Sequence, residues 1–366
     1  MSNSVAREAR STSERPPRVV INGRFLSQPL TGVQRFARGI VSELQSLRDD
    51  VVVVVPGRDE ILEDYSGIRA TKVGRLSGHA WEQTELPLFA RRSRALLLNL
   101  CNTAPITYRN QIVSHHDIAY VRRPESFPRS FRLLYRTISP LMLRRSRAIV
   151  TVSEFSRSEI AAFYRVPRGK IVVVPNAVDE QFRVAGPQGD GESILAVSSP
   201  SPYKGFGLLL EAYDQWTSAD KPPLVVVGGV PRSLVREDLR GKAVRGVTFV
   251  GRVSDDELRR LYRDALFFVH PSSYEGFGIP PIEAQASGAP VLASAIPPLR
   301  EVLRTSADYF EPGSARELEK ALDRLAGDED RRRELRARGI ENAARFSWRR
   351  SAELISRIID VHVSGM

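Results

Sequence analysis

Cysteine occurs once in the 366 residues, at Cys101. One thiol forms no intrachain disulfide and no cysteine-based metal site, so a reducing cytoplasm is the expected compartment. Histidine is nearly as scarce, with five residues and no ligand-spaced cluster, which argues against zinc. No apolar run approaches the roughly 20 residues that span a bilayer. Residues 1–17 are rich in Ser and Arg and lack the apolar stretch of a secretory signal. They read as a disordered lead-in. Acid is in deficit: 43 Asp and Glu stand against 54 Lys and Arg, giving a net charge of +11. Such a balance favours an anionic partner, whether nucleic acid, anionic headgroups or phosphorylated small molecules. No nucleic-acid module is recognisable, and the basic residues are not interleaved with aromatics in a stacking pattern. Nucleic acid is therefore not the expected partner.

What is present is an alternation of short apolar runs and helical patterns, made twice. The first strand candidates are Val19–Ile21, Val51–Val55, Ala95–Leu100, Gln111–Ser114, Ala148–Val152 and Ile171–Val174. The second set is Ile194–Val197, Leu224–Val227, Val247–Val250, Leu266–Val269, Pro290–Ala293 and the weaker Asp308–Phe310. Continuous runs of this kind suit strands buried on both faces of a parallel sheet. Between them, Val33, Phe36, Ala37, Ile40, Val41, Leu44 and Leu47 follow helical spacing. Leu208–Trp216 and Asp256–Arg263 read as helices too, the latter with a capping box from Ser254 to Glu257. The expected fold class is α/β: two facing Rossmann-like doubly wound domains with a central cleft. The expected boundaries are 18–185 and 186–346, joined through a linker-like Gly186–Gly191. A last helix within 347–366 is placed to cross back to the first domain.

The stretch Glu275-Gly276-Phe277-Gly278-Ile279-Pro280-Pro281-Ile282-Glu283 carries the most information. It joins the apolar run at Leu266–Val269 to a helix beginning near Ile282. A glycine-rich turn at a helix N-terminus exposes backbone N–H groups that suit phosphate or sugar oxygens. Two carboxylates beside it suit hydroxyls of a ribose or a hexose. Neither glutamate has a cation close in sequence. Every other polar cluster also falls just past the end of an expected strand: Gly32, His116-Asp117, Ser153–Ser156 and Lys204-Gly205. Ligands bind at that edge in doubly wound folds.

Together these residues resemble the retaining, nucleotide-sugar-dependent glycosyltransferases of the GT-B fold, family 4. The resemblance runs from about Arg18 onward. It rests on Glu275 and Glu283 separated by seven residues, on Thr31–Arg35, on Pro175–Asp179 and on Gly251–Asp255. Many members carry an arginine five residues before the phosphate-binding lysine, where this chain has Ser199. A subgroup resembling bacterial O-antigen and exopolysaccharide mannosyltransferases also lacks it, which points to GDP-mannose. The resemblance implies an acceptor-binding first domain and a nucleotide-sugar-binding second domain. It implies no cofactor or catalytic metal beyond the nucleotide-sugar co-substrate.

By the same resemblance Lys204 neutralises the donor diphosphate, or else is a surface lysine. Gly276, Phe277, Gly278 and Ile279 offer backbone N–H groups. Glu275 meets the donor hexose and Glu283 the ribose. Ser199, Arg252 and Val253 complete the donor side. Adjacent side chains on extended backbone point opposite ways, so only one of His115 and His116 faces the cleft. The carry-over favours His116, beside the donor sugar; the alternative is a structural histidine. Asp117 either orients His116 or meets an acceptor hydroxyl. Gly32 lets the backbone approach the donor, and Arg35 assists on the acceptor side or is a helix-surface charge. Ser153 and Ser156 stand near the acceptor, or cap the following helix.

From Ser126 to Ser153 there are six arginines and no acid. Phe127, Phe131, Leu134, Tyr135, Ile138, Leu141 and Met142 form an apolar stripe there. A basic amphipathic helix over 127–147 suits an anionic membrane surface, or its stripe is simply core. The expected enzyme is a hexosyltransferase at the cytoplasmic face, acting on a glycan or lipid-linked glycan. The rival readings are a UDP- or dTDP-sugar donor, a related epimerase or phosphorylase, a non-catalytic scaffold and a basic nucleic-acid binder.

Overall fold

The computed structural model describes residues 18–62, 65, 67–183, 191–198, 201–218, 220–229 and 245–363. The lead-in at 1–17, the linker positions 186–190 and Ser199 lie outside them.

Two parallel sheets organise the described residues. The first holds β1 (Val19–Asn22), β2 (Val51–Pro56), β3 (Ala70–Val73), β4 (Leu96–Asn99), β5 (Gln111–Ser114), β6 (Ala148–Thr151) and β7 (Ile171–Val173). Their order is β3-β2-β1-β4-β5-β6-β7. The second holds β8 (Ser193–Ser198), β9 (Leu224–Gly228), β10 (Val247–Gly251), β11 (Ala265–His270), β12 (Val291–Ser294) and β13 (Asp308–Phe310). Their order is β10-β9-β8-β11-β12-β13. Strands β1, β4, β5, β6 and β12 are buried at every residue, apolar but for Asn22, Asn99, Gln111 and small hydroxyl residues at their ends. Strand order reverses between β1 and β4 and again between β8 and β11. At such switch points the connections leave to opposite faces and a crevice opens beyond the strand ends. The strand β3 has no counterpart among the sequence expectations. It is an edge strand reading Ala-Thr-Lys-Val, half-exposed and without an apolar run.

The helix expected over Val33–Leu47 is α1 (Gly32–Leu47), with Phe36, Ala37, Ile40, Val41 and Leu44 buried. The other helices that matter here are α2 (Gly78–Gln83), α3 (Glu85–Arg92), α4 (Arg129–Arg145), α5 (Glu154–Tyr164), α6 (Phe206–Gln215), α7 (Asp255–Arg263), α8 (Ile279–Ala286), α9 (Pro297–Leu303), α10 (Ala315–Gly327), α11 (Glu329–Ala343) and α12 (Trp348–Val363). Ser254 caps α7, its hydroxyl accepting the Glu257 N–H at 3.2 Å. The last helix, α12, packs against α1 of the first domain. The indole of Trp348 lies where a side chain at Gly39 would have to be, edge-on to Phe36 at 6.2 Å. At the far end Arg48 binds Asp360 at 2.6 Å and Ser356 at 2.9 Å.

The basic helix splits its stripe. Met142 and Leu143 of α4 join the core beneath β5 and β6. Phe131, Tyr135 and Ile138 are half-buried, while Leu133, Leu134 and Leu141 are exposed.

Candidate functional site

The carboxyl ends of β1, β4 and β5 face those of β8 and β11, and the residues that follow them meet. Glu275 is the centre. Its Oε1 accepts the Lys204 Nζ at 2.7 Å and the His270 Nε2 at 2.9 Å, and the residue is only 7% exposed. The cations missing near the glutamates in sequence thus arrive from distant turns. Lys204 comes from the turn after β8, where Gly205 adopts φ +78° and an added side chain would meet the Pro271 carbonyl oxygen at 2.1 Å. Only glycine fits that combination. Burial opposes charge on Glu275, but the Lys204 charge and the hydrogen bonds from His270 and Lys204 outweigh it. Its carboxyl is held well below the usual carboxylate range. Burial likewise works against the Lys204 ammonium, and the Glu275 charge more than restores it.

Opposite stands Asp117. Its Oδ1 accepts the Ala119 N–H at 2.8 Å. Burial pushes its carboxyl up, with the Ala119 hydrogen bond and Lys204 opposing and Glu275 adding to the rise. A side chain at Gly276 would sit 2.9 Å from Asp117 Oδ2 and 3.3 Å from the His116 carbonyl. The glycine at 276 is therefore required for the first domain to close onto this turn. That is a different reason from the close approach of ligand oxygens.

His115 is fully buried, edge-on to Tyr164 at 5.4 Å and Tyr120 at 6.3 Å. Its burial and the neighbouring His116 push it down to about 3. His116 lies on the other side, as strand alternation requires. Its Nε2 donates to the Leu100 carbonyl at 3.1 Å, its backbone N–H to Asn102 Oδ1 at 2.8 Å, and Phe36 meets the ring edge-on at 4.8 Å. Burial pushes it down to about 4, with the Leu100 bond opposing. The imidazole is neutral at neutral pH, with the proton on Nε2 and a lone pair on Nδ1.

Ser153 is a helix cap and an interdomain contact together. Its hydroxyl accepts the Ser156 N–H at 3.0 Å and donates to the Gly276 carbonyl at 2.6 Å. Ser156 Oγ donates to the same carbonyl at 3.2 Å. Glu301 of α9 accepts the Glu154 and Phe155 N–H groups at 2.8 and 2.9 Å. The N-terminus of α5 is thus capped by the second domain. Arg123 Nη2 adds a bond to the Ser273 carbonyl at 3.1 Å.

Gly278, at φ +96°, caps α8, and Pro280 and Pro281 follow in its first turn. Prolines carry no N–H, so the donors of this turn end with Gly278 and Ile279. Phe277 is buried edge-on to Phe346 at 5.4 Å, so it contributes backbone alone. A side chain at Gly32 would meet Ile279 at 3.6 Å, which brings the first domain's glycine turn to the second domain's.

Glu283 is buried within α8, 3.5 Å from the Tyr262 hydroxyl. Arg35, expected on the acceptor side, stands here instead. Its guanidinium grips Asp255 at 3.1 and 3.0 Å, Asp179 at 3.2 Å, and lies 3.9 Å from Glu283. Burial pushes the Glu283 carboxyl up to about 7, Arg35 opposing and Asp255 and Asp179 adding to the rise. Arg252 is exposed at the rim and Val253 is half-buried against the core.

Four features escaped the sequence reading. His270, Asp255 and Glu301 are ordinary polar residues until their partners are known. The fourth is a buried network at the ends of β1 and β4. Glu82, 1% exposed, accepts from Asn22 at 2.9 Å, Arg24 at 3.2 Å, Thr103 at 2.9 Å and pairs with His79 at 3.0 Å. Polar Asn22 and Asn99 ending apolar strands were the available signal. Among the described residues no group of His, Cys, Asp or Glu has the arrangement of a metal site.

Known proteins are similar to this chain in sequence and in fold. Residues 30–182 match the family described as Glycosyltransferase Family 4, and 177–346 the family described as Glycosyl transferases group 1. The chain is 32% identical over 242 residues to the O-antigen chain mannosyltransferase RfbU of Salmonella typhimurium, an alignment covering 64% of this chain and 65% of that one. It is 27% identical over 365 residues to O-antigen chain mannosyltransferase B of Escherichia coli, covering 88% and 94%. It is 28% identical over 353 residues to the GDP-mannose:cellobiosyl-diphosphopolyprenol alpha-mannosyltransferase of Komagataeibacter xylinus, covering 89% and 86%. Among solved structures, sucrose-phosphate synthase from Thermosynechococcus elongatus superposes with a TM-score of 0.76 at 17% identity, over 96% of this chain and 100% of that one. The Anabaena protein HepE in complex with UDP gives 0.72 at 17% identity, over 94% and 99%.

Proposed function

Since the chain belongs to the family 4 and group 1 glycosyltransferases and has their GT-B fold, we propose that it transfers a hexose from a nucleotide sugar. The donor is GDP-mannose, and the acceptor is a hydroxyl of a glycan or lipid-linked glycan in cell-surface polysaccharide synthesis. The observation that carries the reading is the buried Lys204–Glu275 pair, set at the switch point of the second sheet and faced by Asp117. The donor sugar is argued from the mannosyltransferase relatives.

In this reading the diphosphate enters beside Lys204 and the Gly278 and Ile279 N–H groups. Fixed donors placed where negative charge grows on the leaving phosphate are a large part of such catalysis. Glu275 holds hexose hydroxyls, and Glu283 accepts the ribose hydroxyls. His116 and Asp117 line the sugar from the first domain, with Asp117 nearest the acceptor. Retention is carried over from the family; among the described residues no side chain is placed as a covalent nucleophile, and the acceptor attacks the face that the phosphate leaves. The departing phosphate takes the acceptor proton. Lys204 does the work a metal would otherwise do.

Helix α4 exposes Arg129, Arg136, Arg144, Arg145 and Leu133, and it holds no acid. This suits a peripheral contact with anionic lipid, where a lipid-linked acceptor resides. Among the described residues no helix is long and apolar enough to cross a membrane. Co-sedimentation with vesicles rich in phosphatidylglycerol is expected for the wild type and lost in Arg129→Glu/Arg136→Glu. Equal sedimentation of both would remove α4 from the reading.

The first test is thermal unfolding against GDP, UDP, dTDP and ADP and their sugar conjugates. A nucleotide at about 100 times its Kd stabilises by about 2.7 kcal/mol. A shift with GDP and GDP-mannose alone is expected. A shift with UDP alone changes the donor, and none at all favours a scaffold.

A further inference from the structure

We infer that His270 is a positioning residue for Glu275, fixing the carboxylate while Lys204 is drawn to the donor diphosphate. The inference rests on the transferase reading of this same site.

His270 ends β11, buried, its ring stacked on Phe268 at 5.9 Å and 29°. Its Nε2 meets Glu275 Oε1 at 2.9 Å, while its Nδ1 is buried and has no hydrogen-bond partner among the described residues. The imidazole thus has one polar engagement. A carboxylate only accepts, so Nε2 is the donor in this contact. An interior site that leaves one ring nitrogen unpaired gives up stability. A histidine kept there for packing alone would do as well as phenylalanine.

The contact falls on the oxygen that also takes Lys204, at 2.7 Å. Both bonds fall on Oε1, which leaves Oε2 to neither partner. The two partners differ in what they do when a donor arrives. Lys204 is a point charge on a flexible stem with three N–H groups to share, and phosphate oxygens compete for them. The imidazole is locked between strand and ring and has nowhere to turn. Once the ammonium divides itself, His270 alone fixes the carboxylate plane against the sugar. A displacement of about 1 Å at a reacting centre costs up to roughly 100-fold in rate.

The experiment compares His270→Phe, His270→Gln, Glu275→Gln and His270→Phe/Glu275→Gln in the full chain. GDP-mannose is the probe, and GDP release without acceptor and calorimetric GDP affinity are the readouts. Phenylalanine keeps the ring and removes the donor; glutamine keeps an N–H within reach. The expected result is kcat lowered roughly 10- to 100-fold in His270→Phe, with KM and GDP affinity within about twofold, and most of the loss recovered in His270→Gln. The double variant should be no slower than Glu275→Gln alone, the non-additivity of groups acting as a unit. Normal kcat in His270→Phe beside a slow Glu275→Gln overturns this inference and leaves the site reading standing. A loss in His270→Phe that glutamine does not recover, with KM raised and the melting temperature lowered, makes His270 merely structural and overturns it also. Full activity in Glu275→Gln overturns the site reading and the inference with it.

Discussion

At the scale of single residues, the two glutamates of the motif live in opposite electrostatic settings. Glu275 has a lysine in contact and stays ionised. Glu283 is buried with an arginine at 3.9 Å whose charge is shared with two aspartates. The consequence for Glu283 is a pH dependence of stability. Its proton is held more tightly in the folded chain, about 7, than in the unfolded one, ~4.3. A group raised in this way gives stability that is complete below the unfolded value and is lost as pH rises through the folded one. Glu283→Gln removes the titration. Its melting temperature should therefore hold between pH 5 and 8 better than that of the wild type. Parallel curves for the two proteins would contradict the assignment. Lys204→Ala removes the cation and leaves Glu275 buried without it. Loss of one preorganised donor of this kind costs about 10²–10³ in kcat. Measured by GDP release from GDP-mannose, a fall of less than about threefold would remove Lys204 from the leaving-group role.

At the scale of elements, legibility followed from how each element earns its burial. Strands closed on both faces announce themselves as apolar runs, and α1 shows its face by spacing. The strand β3 is satisfied on one edge only and reads as polar turn. The spacing of Glu275 and Glu283 was legible because both sit in one turn and one helix. Their partners were not, because Lys204 and Arg35 reach them through the packing of separate units. Gly276 was read as a place where a side chain would block ligand oxygens; the group that an added side chain would meet is Asp117, on the other domain. Ser153 shows the same doubling, since a cap is a local signal and the Gly276 carbonyl is a distant one. Ser153→Ala should lower stability by about 1 kcal/mol through the lost cap. It should also raise the KM for donor, because Gly276 loses an anchor. A stability loss with an unchanged KM would leave the hydroxyl as a cap alone.

At the scale of the whole molecule, polar bonds stand beside the aromatic contacts Phe155–Tyr274 and Phe127–Tyr203 in holding the cleft side together. Glu301 caps α5, Arg123 reaches Ser273, and Arg35 reaches Asp255. Bonds of this type exchange readily with water, so a cleft closed by them can open for substrate. Glu301→Ala removes two of them at once without touching either sheet. Small-angle scattering should then show a larger radius of gyration at unchanged far-ultraviolet circular dichroism. An unchanged radius would mean that the remaining bonds suffice.

Helix α12 covers α1, with Trp348 seated over Gly39 beside Phe36. During translation α1 emerges early and Trp348 only after the entire second domain. For that interval the nascent first domain presents an uncovered apolar groove to the cell. Domains generally fold as units as they are made, and exposed apolar surface is what chaperones bind. The first domain therefore waits through the synthesis of the second, and its cover arrives only with α12.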